Sequence, residues 1–305
     1  VFKIIITAAM LIVGVYLLLN QQINIGQFIA ADIVILAVIS SVEKLIQTLD
    51  KAYDTLTAIE KLDKIKSAEL ESAGSEKITT NNGIKIDFKN VSFSYPNGKS
   101  VLNDVNIDIK EGEKVLIVGN SGSGKSTLLR LLTGTFTNFT GSIRINNVAL
   151  GSYSIDSLRS NTGVLISQQD IFQGTIRDNI TMGDNSVTNE ELYQLTKSTG
   201  LESFIGELEI GFDTDIDPAG KKLPEKIKQG ILLARALFSR KTLLLLENPF
   251  DGLEPNAIVS VREMMAKLEN VTMLVTAGSN AHQEIFDKII YLENGSILSV
   301  ESKNK

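Results

Sequence analysis

The chain has 305 residues, enough for two domains with separate cores, and 43% of them are hydrophobic. Its formal net charge of −6 argues against a basic nucleic-acid groove, so no nucleic-acid partner is expected. With no cysteine it can form no disulfide, thiolate metal site or thiol nucleophile, and its only histidine, His282, is a poor basis for a metal cluster or a Ser-His triad.

The apolar surplus lies mainly in the N-terminal part. Ile4–Leu19 reads IIITAAMLIVGVYLLL without a charge, between Lys3 and the polar run Asn20-Gln21-Gln22. A helix needs about 17–25 apolar residues to cross a bilayer, so this run is at the short end. No small-residue cleavage site follows Leu19, which sets it apart from a signal peptide. We read a membrane span over residues 4–20 and a second over 25–42, the latter interrupted by Gln27 and Asp32. A charge at that depth is costly and faces protein or a water-filled cavity. Neither Gly nor Pro occurs from Gln27 to Lys66, which predicts one helix of about 60 Å running out of the membrane. Along its projecting part Val42, Leu45, Leu49, Ala52, Leu56 and Ile59 form one apolar stripe. The loop between the spans lacks Lys and Arg while both flanks carry them, so the segment after Val42 is expected on the cytoplasmic side of an inner or plasma membrane. A start at Val1 rather than Met carries the expectation of a longer upstream region.

Residues 67–83 are polar, with Gly74, Ser75 and the pair Asn81-Asn82, and read as a linker. From Ile84 onward short β-rich runs (IKIDF, VNIDI, KVLIVG, SIRIN, TLLLLE, TMLVT, KIIYL, SILSV) alternate with helical stretches. That pattern predicts an α/β domain over 84–305 with a largely parallel central sheet.

Within it the strand run Lys114–Val118 leads into Gly119-Asn120-Ser121-Gly122-Ser123-Gly124-Lys125-Ser126-Thr127, and Leu128-Leu129-Arg130-Leu131-Leu132 continues as a helix. This is G-x-x-x-x-G-K-[ST] in its strand–loop–helix setting. Glycines let the backbone turn its N–H groups inward, and the helix N-terminus adds positive potential at the same place. Lys125 is placed to neutralise β- and γ-phosphates, and the Ser126 hydroxyl to ligate Mg²⁺.

Val91-Ser92-Phe93-Ser94-Tyr95-Pro96 and Val101–Ile109, followed by that loop, resemble the opening of an ATP-binding-cassette (ABC) domain of the exporter type. The likeness extends over 84–300, and the preceding helices resemble the last two membrane helices of such an exporter. It implies a P-loop NTPase fold of the ABC type, ATP and Mg²⁺ as cofactors, Tyr95 stacked on adenine, and residues Gly119 to Thr127 around the phosphates. It further implies Gln168 as the glutamine that senses Mg²⁺ within Leu165–Ile180, with Gln169 adjacent, and Glu247 beside Ser126 on the metal.

Three positions depart from the family. After Leu243–Leu246 comes Glu247-Asn248-Pro249 where the family has Asp-Glu-Pro, so Asn248 stands where a glutamate polarises the attacking water. An amide cannot usefully take a proton. Ala277, after Thr272–Thr276, stands where the family has its switch histidine, while His282 reads as a surface residue. The Leu-Ser-Gly-Gly-Gln signature falls on Leu223-Pro224-Glu225-Lys226-Ile227. The resemblance therefore implies an exporter subunit, homo- or heterodimeric through its nucleotide-binding domains and embedded in lipid, with low ATPase activity and an unknown cargo. A non-hydrolysing structural or regulatory subunit is the alternative, and a soluble P-loop enzyme the third reading.

Overall fold

The computed structural model describes residues 2–67, 74–80, 82–96, 98–167, 169–184, 186–238, 241–278 and 283–303. It forms two compact units, Val1–Glu71 and Ser72–Lys305. The first contains α1 (Phe2–Leu19) and the 42-residue α2 (Ile25–Lys66). Asn24 starts α2 with a reciprocal cap: its side chain accepts from the Gln27 N–H at 2.8 Å, and the Gln27 side chain accepts from the Asn24 N–H at 3.0 Å. Lys64 and Lys66 sit in the last turn, where cations suit the helix dipole. The two helices approach closely where the Phe28 ring lies over Gly14; a β-carbon there would come within 2.2 Å of the ring. Among the described residues of this unit only Gly14 and Ile39 are buried, and the stripe from Val42 to Ile59 is exposed. α2 contains an 18-residue window of mean hydropathy 2.1, long and apolar enough to cross a membrane, whereas the apolar run Ile4–Leu19 is shorter than that length.

The second unit runs β1 (Ile86–Ser94), β2 (Ser100–Ile109), β3 (Lys114–Val118), α3 (Lys125–Leu132), β4 (Phe139–Ile145), β5 (Val148–Ala149), α4 (Ile155–Asn161), β6 (Thr162–Leu165), β7 (Gly174–Thr175), α5 (Ile176–Thr181), α6 (Asn189–Ser198), α7 (Glu202–Gly206), β8 (Asp215–Ile216), α8 (Glu225–Leu237), β9 (Leu243–Glu247), α9 (Pro255–Lys267), β10 (Thr272–Ala277), β11 (Lys288–Glu293) and β12 (Ser296–Ser302). The six-stranded sheet has the order β12-β11-β3-β10-β9-β6, parallel except for β12. The runs IKIDF, VNIDI and SIRIN do not join it. They form a separate antiparallel sheet, β2-β1-β4-β5, so the predicted central sheet is in fact two sheets plus the β7–β8 pair.

The alternation of side chains explains why the central runs are apolar throughout. On β3, Val115 and Ile117 face one core, with Phe88, Leu102, Leu128 and Ile290. Leu116 and Val118 face the other, with Ile180, Ile231, Leu246 and Val275. Both faces are covered, so Val115–Val118 of β3 are apolar without a break, and the buried polar side chains Thr272 and Thr276 fall near the ends of β10. β9 divides in the same way, with Leu243 and Leu245 on one side and Leu244 and Leu246 on the other.

Part of the predicted linker is ordered on this unit. The Gly74 N–H donates to Tyr153 O at 3.1 Å and the Ile78 N–H to Ser157 Oγ at 2.9 Å. Ile78 and Ile84 are buried, and Thr272 Oγ1 accepts from the Ile84 N–H at 2.8 Å. Within the stretch Ile78 is the one isoleucine, and with Ile84 just beyond it docks the segment, a signal the overall polarity hides.

Candidate nucleotide site

The loop between β3 and α3 lies at the carboxyl end of the parallel strands, where open α/β sheets leave a crevice. A cavity of about 1000 Å³ opens there, lined by Tyr95, Lys99, Val101, residues 119–127, Glu247, Asn248 and Asn294. Gly119 is required by close approach, since a β-carbon would meet Leu292 O at 2.2 Å. Gly124 is required by conformation, with φ +105° at the N-cap of α3 and the Leu102 side chain 2.7 Å from where a β-carbon would stand. The Gly295 N–H donates to Ser123 O at 3.0 Å, so the turn after β11 braces the loop.

Two features of the loop suit an anion. Ser123 Oγ is buried without a hydrogen-bond partner among the described residues, a donor an oxyanion could satisfy. Among the described residues Lys125 Nζ donates only to loop carbonyls, Gly119 O at 2.6 Å and Asn120 O at 3.0 Å. Burial pushes the Lys125 ammonium below its ordinary pKa against the opposing pull of Glu247, so a bound anion would relieve the cost of its charge.

Ser126 Oγ donates to Glu247 Oε1, and Glu247 Oε2 accepts from the Ser167 N–H at 2.6 Å. Burial alone would raise the Glu247 carboxyl. The bonds from Ser126 and Ser167 and the nearby Arg130 charge outweigh it and hold the group below its usual range, ionised at neutral pH. A hydroxyl and a carboxylate in contact make an all-oxygen donor set of the kind Mg²⁺ takes. Sequence reading found Ser126 and Glu247; the Ser167 N–H and Arg130, whose guanidinium holds Ser167 O at 3.1 Å, it missed.

Asn248 follows with φ +46°, a left-handed conformation that Asn tolerates better than most residues. Its N–H donates to Thr276 O at 3.0 Å, which sets the end of β9 against the end of β10 and brings Asn248 beside Ala277. Gln168 and His282 lie outside the described residues. Tyr95 is half-buried; its ring meets Phe93 edge-on at 5.0 Å and Phe136 at 5.5 Å, and its hydroxyl pairs with Thr127 Oγ1 at 3.1 Å.

Residues 223–227 do not line this cavity. They also are not all loop: Pro224 is the N-cap of α8, and Glu225, Lys226 and Ile227 form its first turn. Lys226 pairs with Glu254 at 2.9 Å, tying this turn to the segment before α9. Farther along α8, Arg235 donates to Asn179 O at 2.7 Å and to Asp170 O at 3.2 Å, fixing α8 to α5 and to the stretch that follows Gln168.

Residues 102–251 match the ABC transporter family model. Over 93% of its length the chain is 31% identical to the exotoxin translocation ATP-binding protein PaxB of Pasteurella aerogenes, covering 40% of that protein. It is likewise 31% identical to a probable ABC transporter ATP-binding/permease protein of Haemophilus influenzae, over 94% of this chain and 52% of that one. The chain thus spans about half the length, or less, of these curated relatives. Its fold is similar to that of a bacterial Atm1-family ABC exporter with ATP bound, with a TM-score of 0.73 and 24% identity over 92% of this chain and 49% of that one. The loop, the sheet order and these likenesses agree, and the chain belongs to the ABC transporter family.

Proposed function

We propose that this chain is the ATP-binding part of a membrane exporter, in which Mg-ATP held at residues 119–127 draws two nucleotide-binding domains together. The observation that carries the reading is the cradle itself: glycines at 119 and 124 that admit no β-carbon, a buried Ser123 hydroxyl unpartnered among the described residues, and a half-buried Lys125 ammonium held on the loop carbonyls. In this reading Lys125 binds the β- and γ-phosphates, and Ser126 and Glu247 hold Mg²⁺ together with Gln168. Mg²⁺, when bound, supplies charge neutralisation across those phosphates. Asn248 orients water by a hydrogen bond but takes no proton. Calorimetric titration with ATP and Mg²⁺ tests it: one saturable site per chain supports the reading, and absence of binding overturns it. A nucleotide-binding regulatory or structural subunit is the second reading, favoured by Asn248 and Ala277.

Tyr95 is proposed to stack on the adenine. Tyr95→Ala is expected to weaken ATP binding by about 1–3 kcal/mol, the range for base–aromatic stacking. Tyr95→Phe keeps the ring and is expected to leave affinity nearly unchanged. It loses the bond to Thr127, about 1 kcal/mol of stability at most. Calorimetry on both variants decides, and an unaffected alanine variant counts against stacking.

Residues 1–66 are proposed as the membrane part, crossing at 4–20 and 25–42 with the nucleotide-binding domain cytoplasmic. The chain is then expected to stay with the membrane through high salt and carbonate and to leave it only with detergent. A monodisperse chain in plain buffer would overturn both spans.

A further inference from the structure

Arg130 does not line the nucleotide cavity, so any effect it has there passes through other residues or through its charge. It stands four residues after Ser126 on α3, a spacing that puts both side chains on one helix face. From that face Ser126 Oγ donates to Glu247 Oε1, while the Arg130 guanidinium donates to Ser167 O at 3.1 Å. The same Ser167 leads back to Glu247, its N–H donating to Oε2 at 2.6 Å. The circuit closes because β6 and β9 are parallel neighbours: Leu165 pairs with Leu246, so Ser167 stands just past the strand end where Glu247 emerges. Ser167 itself is exposed in a turn beyond β6, where no strand ladder fixes its peptide. The bond from Arg130 supplies that anchor from a helix whose neighbouring residues, Leu128, Leu129, Leu131 and Leu132, are all fully buried.

A glutamate is among the side chains that lose most rotamer freedom on being held, so a carboxylate fixed beforehand spares metal binding that cost. We propose that Arg130 is a positioning residue for Mg-ATP: by holding the Ser167 peptide it fixes the Glu247 carboxylate beside Ser126, the pair read above as the metal's ligands. The proposal rests on the nucleotide reading of the cradle, and the experiment separates the two. The full chain, in detergent or lipid, is titrated calorimetrically with ATP, once with Mg²⁺ and once with EDTA. Arg130→Met keeps the aliphatic stem and loses the donor and the charge. It is expected to weaken Mg-ATP about tenfold, the low end for partners that orient a metal ligand, and to change metal-free ATP less than about twofold. Arg130→Lys keeps a donor and a charge and is expected to recover part of the loss. The Arg130→Met comparison is repeated with Glu247→Asp, which draws the carboxylate back by one methylene from the Ser167 N–H. There Arg130→Met is expected to change Mg-ATP affinity less than about twofold, because the link it acts through is gone. No ATP binding by the unaltered chain in either condition overturns the nucleotide reading and this proposal with it. ATP binding with unchanged Mg-ATP affinity in Arg130→Met overturns the proposal alone. So does an equal loss with and without Mg²⁺, which would make Arg130 a nucleotide contact or a support of α3. An equal loss in the glutamate and aspartate backgrounds would leave only its charge, and a variant without an unfolding transition would mark it as structural; either overturns the positioning role.

Discussion

Lys125→Ala is expected to weaken ATP binding by about 3 kcal/mol or more, two decades in Kd, with little change in the stability of the domain. The two halves of this expectation come from the same geometry. In the structure the ammonium sits half-buried on the carbonyls of Gly119 and Asn120, and burial disfavours its charge. Removing it discards two hydrogen bonds but also the desolvation cost, so the melting temperature should barely move. With phosphates present the same charge faces anions in a partly desolvated site, where a hydrogen bond to a charged group is worth about 1.5–3 kcal/mol. Two phosphates engaged by one ammonium give the stated loss. Calorimetry and thermal unfolding on one preparation test both halves. Equal ATP affinity in the variant would show that the loop does not bind phosphate through Lys125. A large fall in melting temperature would show that the lysine's bonds to its own loop matter more than its burial cost.

The phosphate loop was legible because its chemistry is encoded locally: glycine spacing dictates backbone shape, and shape makes the site. The division into two sheets was not. IKIDF and KVLIV are equally short, and although the first alternates and the second is continuously apolar, pairing partners far along the chain decide that Ile86 faces Ile109 and Ile145 while Val115 faces Leu274 and Lys288. The strand β6 escaped notice for a related reason. Its TGVL run carries Gly163, which weakens a strand signal, yet a β-carbon there would meet Ala236 O at 2.1 Å. The glycine is there to let α8 lie close, which no local pattern reveals. The Glu247 environment is likewise non-local, since the Ser167 N–H reaches it across 80 positions of sequence. What the sequence did mark, at Asn248 and Ala277, was a departure in residue type, and the structure adds that the two stand beside each other through the Asn248–Thr276 backbone bond.

That adjacency leads to the expected turnover. ATP hydrolysis by the full assembly in lipid is expected to be slow, short by the factor of about 10²–10⁴ that a general base contributes. The family resemblance implies head-to-tail dimers in which one chain's phosphate loop meets the other's signature. In a homodimer both sites then contain Asn248, Ala277 and the Leu223–Ile227 segment. With an intact partner, the site on this chain's phosphate loop gains a good signature but lacks base and switch. The other site has base and switch but receives Pro224 and Glu225, with the Glu225 carboxylate exposed on the first turn of α8. A negative charge there opposes a γ-phosphate, and proline brings no donor. Defects divided between the two composite sites leave neither whole. Restoring one class of residue should therefore fail: Asn248→Glu with Ala277→His is expected to leave a homodimer slow, because the signature is still altered. Glutamate at Asn248 also has to adopt the left-handed backbone, which it tolerates less well than Asn, so the double variant should be somewhat less stable. Steady-state phosphate release in lipid decides. A turnover of several per second, abolished by Lys125→Ala, would overturn the reading and assign the base to another carboxylate, with Glu247 and Glu225 the first to be tested.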